Sequence, residues 1–288
     1  VSLSEKTFLQ AGLYVIAVPI GNLQDITLRA LETLKNVHKI YCEDTRVTKK
    51  LLGLYNIQAP DLIRCDSYQE HAIIDHIADD IQNGLAIALV SDAGTPLISD
   101  PGYVIISQLR EKKLPIYPIV GACAAISALS VSGLPTQTFQ FKGFIPKKQS
   151  ERLKLIDNMA AYPDTYIFYE RPERLVGFLQ LLPDIFSECL CFIAREMTKR
   201  HEEYSALTVE QTLIFIQNMS HKGEAVFILN TNAIASNHVF DLEAAICDQL
   251  KQGYSVKEIS RNKDLLKYAP RNTLYENAQT LKNKGFHS

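Results

Sequence analysis

The residues best suited to chemistry lie in Ser91-Asp92-Ala93-Gly94-Thr95-Pro96 and, just beyond it, Asp100-Pro101-Gly102. Two carboxylates, two glycines and two prolines fall in one short turn. The carboxylates can hold a cation or accept a proton, and glycine lets backbone approach a ligand closely. A second turn, Pro19-Ile20-Gly21-Asn22, is built alike, and Gly121 marks a third. Glu43-Asp44-Thr45-Arg46 adds acids beside a cation. There Asp44 suits two roles equally: a base, or the N-cap of a helix that begins at Thr45. Arg46 and Lys49 are three apart on that helix, where they either clamp a phosphate or face water.

These turns need strands to position them. Apolar runs at 13–18, 40–42, 62–65, 85–90 and 116–119 read as strands. Helical spacing occupies 28–37, 45–54, 70–82 and 103–110 between them, which predicts a layered parallel α/β unit. Glycine turns at successive strand ends lie on one sheet edge, where open α/β sheets bind ligands, and they suggest a nucleotide-like cofactor. No G-x-G-x-x-G occurs, so a nicotinamide oxidoreductase is disfavoured. A helix rich in Ala and Ser over 122–129 stops near Gly133-Leu134-Pro135. Strands are then expected at 139–141, 165–169, 190–194 and 225–230, with helices between. After Ser236-Asn237 the pattern changes to three short helices over 241–252, 255–267 and 272–283. The expected units are therefore 1–119, 120–236 and a helical appendage at 237–288.

With 288 residues, of which 47% are hydrophobic, the chain can bury more than one core. It shows no apolar run of membrane-crossing length and no signal-peptide pattern, which leads to the expectation of a soluble cytoplasmic protein. The six cysteines are scattered, and Cys189 and Cys191 lack metal-site spacing, so reduced thiols and no metal are expected. A net charge of −2 excludes a uniformly basic nucleic-acid binder. From Lys251 onward, however, eight basic residues face three acids. Such a surplus, which includes Lys263, Lys267 and Arg271, can engage phosphate or simply lie solvated on helices. Lys147 and Lys148 between the units, with Arg171 and Arg195 at strand ends, pose a like choice between phosphate contact and local ion pairs.

Taken together, the Pro19–Asn22, Glu43–Arg46, Ser91–Pro96 and Asp100–Gly102 segments resemble one family in order and spacing. Lys142-Gly143-Phe144-Ile145-Pro146 and Ala194-Arg195-Glu196-Met197-Thr198-Lys199 extend the match. The chain resembles the bacterial small-subunit rRNA cytidine 2′-O-methyltransferases, a branch of the tetrapyrrole-methylase-like AdoMet enzymes. One departure is Val120-Gly121-Ala122-Cys123, where that family usually has Pro-Gly-Pro or Pro-Gly-Ser. The resemblance implies a two-domain α/β, class III AdoMet methyltransferase fold with a small C-terminal helical domain. It also implies a homodimer acting on 16S rRNA in the decoding region of the small ribosomal subunit. Pro19, Gly21, Asp92, Ala93, Gly94, Thr95, Gly121, Phe168, Tyr169 and Ala225 would face S-adenosylmethionine. Glu43, Asp44 and Arg46 would serve the 2′-hydroxyl. Competing readings are a tetrapyrrole methylase of the same architecture and a non-catalytic RNA-binding module.

Overall fold

The computed structural model describes residues 9–65, 70–182, 184–220, 222–233, 242–262, 264–267 and 271–283. Five strands, β1 (Gly12–Ile16), β2 (Lys39–Cys42), β3 (Asp61–Arg64), β4 (Ala86–Val90) and β5 (Ile116–Ile119), form an all-parallel sheet of order β3-β2-β4-β1-β5. Strand alternation sends Ile16, Ile40 and Ala88 to one face, beneath α1 (Leu28–Asn36) and α2 (Thr45–Leu54). It sends Leu13, Tyr41 and Leu89 to the other, beneath α3 (Glu70–Gln82) and α4 (Tyr103–Glu111). The neighbours β1 and β4 therefore send their following helices to opposite faces and their chains to opposite edges. That reversal of strand order opens a crevice at their carboxyl ends.

The helix α5 (Ala124–Val131) leads to a second, mixed sheet. It holds β6 (Gln140–Phe144), β7 (Thr165–Glu170), β8 (Leu190–Arg195), β9 (Glu203–Thr208) and β10 (Ala225–Asn230) in the order β6-β7-β10-β8-β9. Only β6 and β7 are parallel; the remaining pairs are antiparallel. One face carries Tyr166, Phe168 and Phe227 against α6 (Gln149–Ala161), α7 (Pro172–Leu179) and α8 (Val209–Asn218). The other carries Ile167, Phe192 and Val226 against α5.

Two elements differ from expectation. The strand β9 falls where the sequence predicts only helical connection between the strands at 190–194 and 225–230. It is an edge strand with alternating exposure, so one face tolerates polar groups. The helix expected over 255–267 breaks into α10 (Val256–Ile259) and a 3₁₀ turn at Leu265–Lys267. Between them the Asn262 side chain accepts the Asp264 amide (2.8 Å), a local bond that competes with helix continuation. With α9 (Leu242–Lys251) and α11 (Arg271–Asn283), these elements enclose a core of their own, including Ile246, Ile259, Leu274 and Ala278. The expected linker at Ser236-Asn237 lies outside the described residues.

Candidate active site

The cavity is built at the crevice between the ends of β1 and β4. Beyond β1, Val18 exchanges two backbone hydrogen bonds with Gly94 (2.8 and 3.0 Å). Gly94 holds φ at +73°, and a Cβ there would stand 3.3 Å from Ile20 Cγ2. Thr95 Oγ1 donates to the Ala122 carbonyl (2.9 Å), which ties the turn after β4 to the turn after β5. Leu97 and Ser99 both hold left-handed φ (74° and 71°), a strained run of the kind that collects at functional sites.

The second sheet closes the cavity from across. Because β10 runs antiparallel to β7 and β8, its first residue, Ala225, pairs with their last residues, Glu170 and Arg195. Glu170, Arg171, Glu196, Glu224 and Ala225 thereby reach one edge. The enclosed space is about 380 Å³, within the range of small-ligand sites. Its apolar wall includes Ile20, Ile98, Phe144 and Met197. Its polar wall is acidic: Glu43, Asp92, Asp100, Glu170, Glu196 and Glu224 face only Arg171 and Lys199.

Electrostatics separates these acids. Burial pushes the Asp100 carboxyl up to about 6, opposed by a hydrogen bond from Ser91 and reinforced by Glu43, Asp92 and Glu224. Asp92 is also raised, chiefly by burial, although it accepts the Asp44 amide (3.2 Å). Glu196 is lowered, because Lys199 donates to it (2.8 Å). Glu170, almost fully buried, is balanced by Arg174 at 3.2 Å. Tyr169 accepts the Ala125 amide (3.1 Å), and burial raises its phenol well above the usual range.

The cavity gathers Glu43, Asp92, Ala93, Gly94, Thr95, Tyr169, Ala225 and Arg171 of the anticipated residues. Others stand elsewhere. Asp44 caps α2: its Oδ1 accepts the Arg46 amide (2.8 Å), and its carboxylate is held well below the usual range by the Arg46 side chain. Arg46 is engaged in that same pair (2.5 Å), so neither lines the cavity. Phe168 is fully buried on the helical face, because neighbours along a strand point opposite ways and Tyr169 takes the cavity side.

Arg195 is nearly buried and satisfied by Glu203 (3.2 Å) and by the carbonyls of Lys222 and His201, so it is a structural cation and no surface RNA contact. Pro19 is buried and does not line the cavity, whereas its neighbour Ile20 does. Gly21 meets the second sheet: a Cβ there would lie 2.6 Å from Thr198 Oγ1 and 2.7 Å from Lys199 Cγ. Gly121 packs on Ala17, 2.9 Å from a would-be Cβ, so in the departed turn glycine answers to packing.

Lys49, Lys147 and Arg271 are exposed, and so is Lys148, which sits 3.4 Å from Glu151. Lys263 and the Lys267 side chain lie outside the described residues. Sequence reasoning missed Phe144, Glu170, Met197, Lys199 and Glu224 as cavity residues. Phe144, Met197 and Lys199 lie in segments that carry the family resemblance, but no role followed from it; Glu170 and Glu224 had only adjacency to strand ends, which lacks strand direction.

Residues 12–213 match the family of Tetrapyrrole (Corrin/Porphyrin) Methylases. A Ribosomal RNA small subunit methyltransferase I from Rickettsia prowazekii is 38% identical over 251 residues, 87% of this chain and 89% of that one. Its counterpart from Halalkalibacterium halodurans is 41% identical over 220 residues, 76% of each chain. Among solved structures, a diphthine synthase superposes with TM-score 0.59 at 11% identity, covering 76% of this chain and 89% of that one. A uroporphyrin-III-C-methyltransferase from Thermus thermophilus gives TM-score 0.52 at 17% identity, covering 78% and 96%. These two likenesses concern the fold.

Proposed function

Because the chain belongs to the tetrapyrrole methylase family, and within it to the small-subunit ribosomal RNA methyltransferases I, we propose that its cavity performs ribose 2′-O-methylation of a cytidine in the decoding region of 16S rRNA. The chain is an enzyme that methylates small-subunit rRNA. The observation that carries the finer reading is the acidic, glycine-edged cavity at the switch point of the first sheet.

The residues present fit S-adenosylmethionine as donor. A sulfonium cation suits a wall of carboxylates, and Gly94 keeps the turn free of a side chain. Asp92, Ala93, Gly94, Thr95, Tyr169 and Ala225 would hold it. When bound, it supplies an already activated methyl group, so the protein's task is alignment and proton removal.

Asp100 is the base in this reading. It lies in the cavity with Glu43 and Asp92, and it accepts the proton that the ribose hydroxyl gives up. Burial, and after it the neighbouring carboxylates, raises its affinity for that proton. Lys49, Lys147, Lys148, Arg171, Lys263, Lys267 and Arg271 supply phosphate contacts along the RNA. Such a substrate implies a cytoplasmic enzyme, and no described helix is long and apolar enough to cross a membrane. A homodimer is part of the same proposal. Leu28, Val120 and Val131 are apolar and largely exposed, and a second copy would cover them. Light scattering reads that directly, and a single-chain mass at working concentration overturns it.

The enzymatic test is nucleoside mass spectrometry of 16S rRNA from cells lacking this protein, with and without a restoring copy. Loss and return of 2′-O-methylcytidine is the expected result. An unchanged level overturns the assignment.

A further inference from the structure

Phe144 is an aromatic ring turned outward by a fault in its strand. The register of β6 on β7 shifts between Phe141 and Gly143, so that Phe141 pairs with Ile167 and Phe144 with Tyr169. In β7 those two partners share the face that packs on α5, opposite α6, α7 and α8. An unbroken register would pair Phe144 with Glu170 and turn its ring to the opposite side of the sheet. The bulge instead returns it to the cavity side, a recognised way of re-aiming a side chain. Gly143 absorbs the kink with φ at +67° and stands close to Ser99, 3.4 Å from a would-be Cβ.

The result is a fixed ring with an open face. Phe144 is 56% exposed yet lines the cavity, with its ring edge-on to Tyr169 at 6.1 Å and 70°. The backbone beyond it is clamped: the Ile145 carbonyl accepts from Arg174 (3.0 Å) and the Pro146 carbonyl from Arg152 (2.8 Å). Cations gather on this side, with exposed Arg171 at the cavity and exposed Lys147 three residues on. The first sheet contributes Glu43 and Asp92 to the cavity, while Glu224 stands beside Arg171, since Ala225 pairs with Glu170. A flat apolar face beside phosphate-binding cations is the chemistry of single-stranded nucleotide recognition.

We propose that Phe144 is the stacking platform for the acceptor base, a pyrimidine nucleotide taken out of the rRNA stack, while Arg171 and Lys147 hold its flanking phosphates. Enzymes acting on a nucleotide within structured RNA must first expose it, and a ring at the mouth gives the freed base a partner. The inference rests on the rRNA-methylation reading above and names the element of the same site that receives the substrate.

The experiment uses full-length protein and small-subunit particles from cells lacking it. Phe144→Leu and Phe144→Trp are compared with the wild type for kcat, for KM on particles and for S-adenosylmethionine affinity by calorimetry. Short-wave ultraviolet cross-linking with peptide mapping runs in parallel. Phe144→Leu is expected to raise KM for particles about tenfold, equivalent to about 1.4 kcal/mol, with donor affinity unchanged. Phe144→Trp restores KM, and the wild-type cross-link falls on the β6 peptide. An unchanged KM in Phe144→Leu with no cross-link on β6 overturns the inference while leaving the methylation reading intact. Weakened donor binding at unchanged KM also overturns it, since the ring then caps the donor. A wild-type protein that leaves the particles unmethylated overturns both.

Discussion

At Asp100 the sign of the pH dependence is fixed by burial. Its carboxyl titrates near 6, above the usual carboxylate value, because burial and Glu43, Asp92 and Glu224 disfavour the charged form. The native state therefore binds the proton more tightly than the unfolded chain between roughly pH 4 and 6. Stability falls as pH rises through that window and levels off above it. Asp100→Asn should flatten this slope, which thermal midpoints measured across the window will read. Activity runs the other way, since a base must be unprotonated. The wild-type rate should climb with pH up to about 6, and Asp100→Asn should lower kcat by about a hundredfold. A kcat within a few-fold of wild type would remove Asp100 from the mechanism. Asp44 makes the contrast: Asp44→Asn keeps an oxygen to cap α2 and is expected to leave turnover near normal. A collapse of turnover with intact donor binding would return Asp44 to the chemistry.

At the scale of elements, two glycines that look alike do different work. Gly94 sits in left-handed backbone against Ile20, so Gly94→Ala pays about 1–2 kcal/mol in strain. Gly94→Val adds bulk at the expected donor surface. It should lose most S-adenosylmethionine affinity while the fold persists, because the turn lies outside both cores. Near-normal calorimetric binding by the folded Gly94→Val protein would refute that role. Gly21 instead abuts the turn after β8, where Glu196 and Thr198 are themselves left-handed (49° and 69°). Gly21→Ala must push that turn away and loosen the wall shared by the two sheets. Weaker donor binding is expected, rescued in part by Thr198→Ala, which removes the nearest clashing atom. Full affinity in Gly21→Ala would show that the wall yields without cost.

For the whole molecule, the informative feature is that the C-terminal helices own their core. A chain truncated after Ser236 should still fold and bind the donor, because both sheets keep their packing. It should methylate rRNA poorly and with a shallower salt dependence, since phosphate contacts set both affinity and its salt slope. Lys263→Glu, Lys267→Glu and Arg271→Glu together should reproduce that loss in the full-length protein. Initial rates at low and moderate salt decide it, and full activity with an unchanged slope would make the tail packing material.

The sequence by itself determined the parallel sheet, the glycine turns at its strand ends and the helical tail. Each is a local signal: an apolar run, a turn composition or a helical period. The resemblance of Ser91–Pro96 and its companion motifs carried the chemistry with them. Only the tertiary structure decided which side chains meet. Strand direction brings Glu224 and Ala225 of β10 beside the ends of β7 and β8, and a sequence does not state direction. Register places Tyr169 in the cavity and Phe168 in the core, and a single bulge returns Phe144 to the cavity side. For Arg195 the sequence left a choice between RNA contact and a local ion pair, and only the tertiary structure supplied the partner, Glu203 on β9. Contacts of that kind arise between segments far apart in the chain, where pairing geometry and burial, not local propensity, set the outcome.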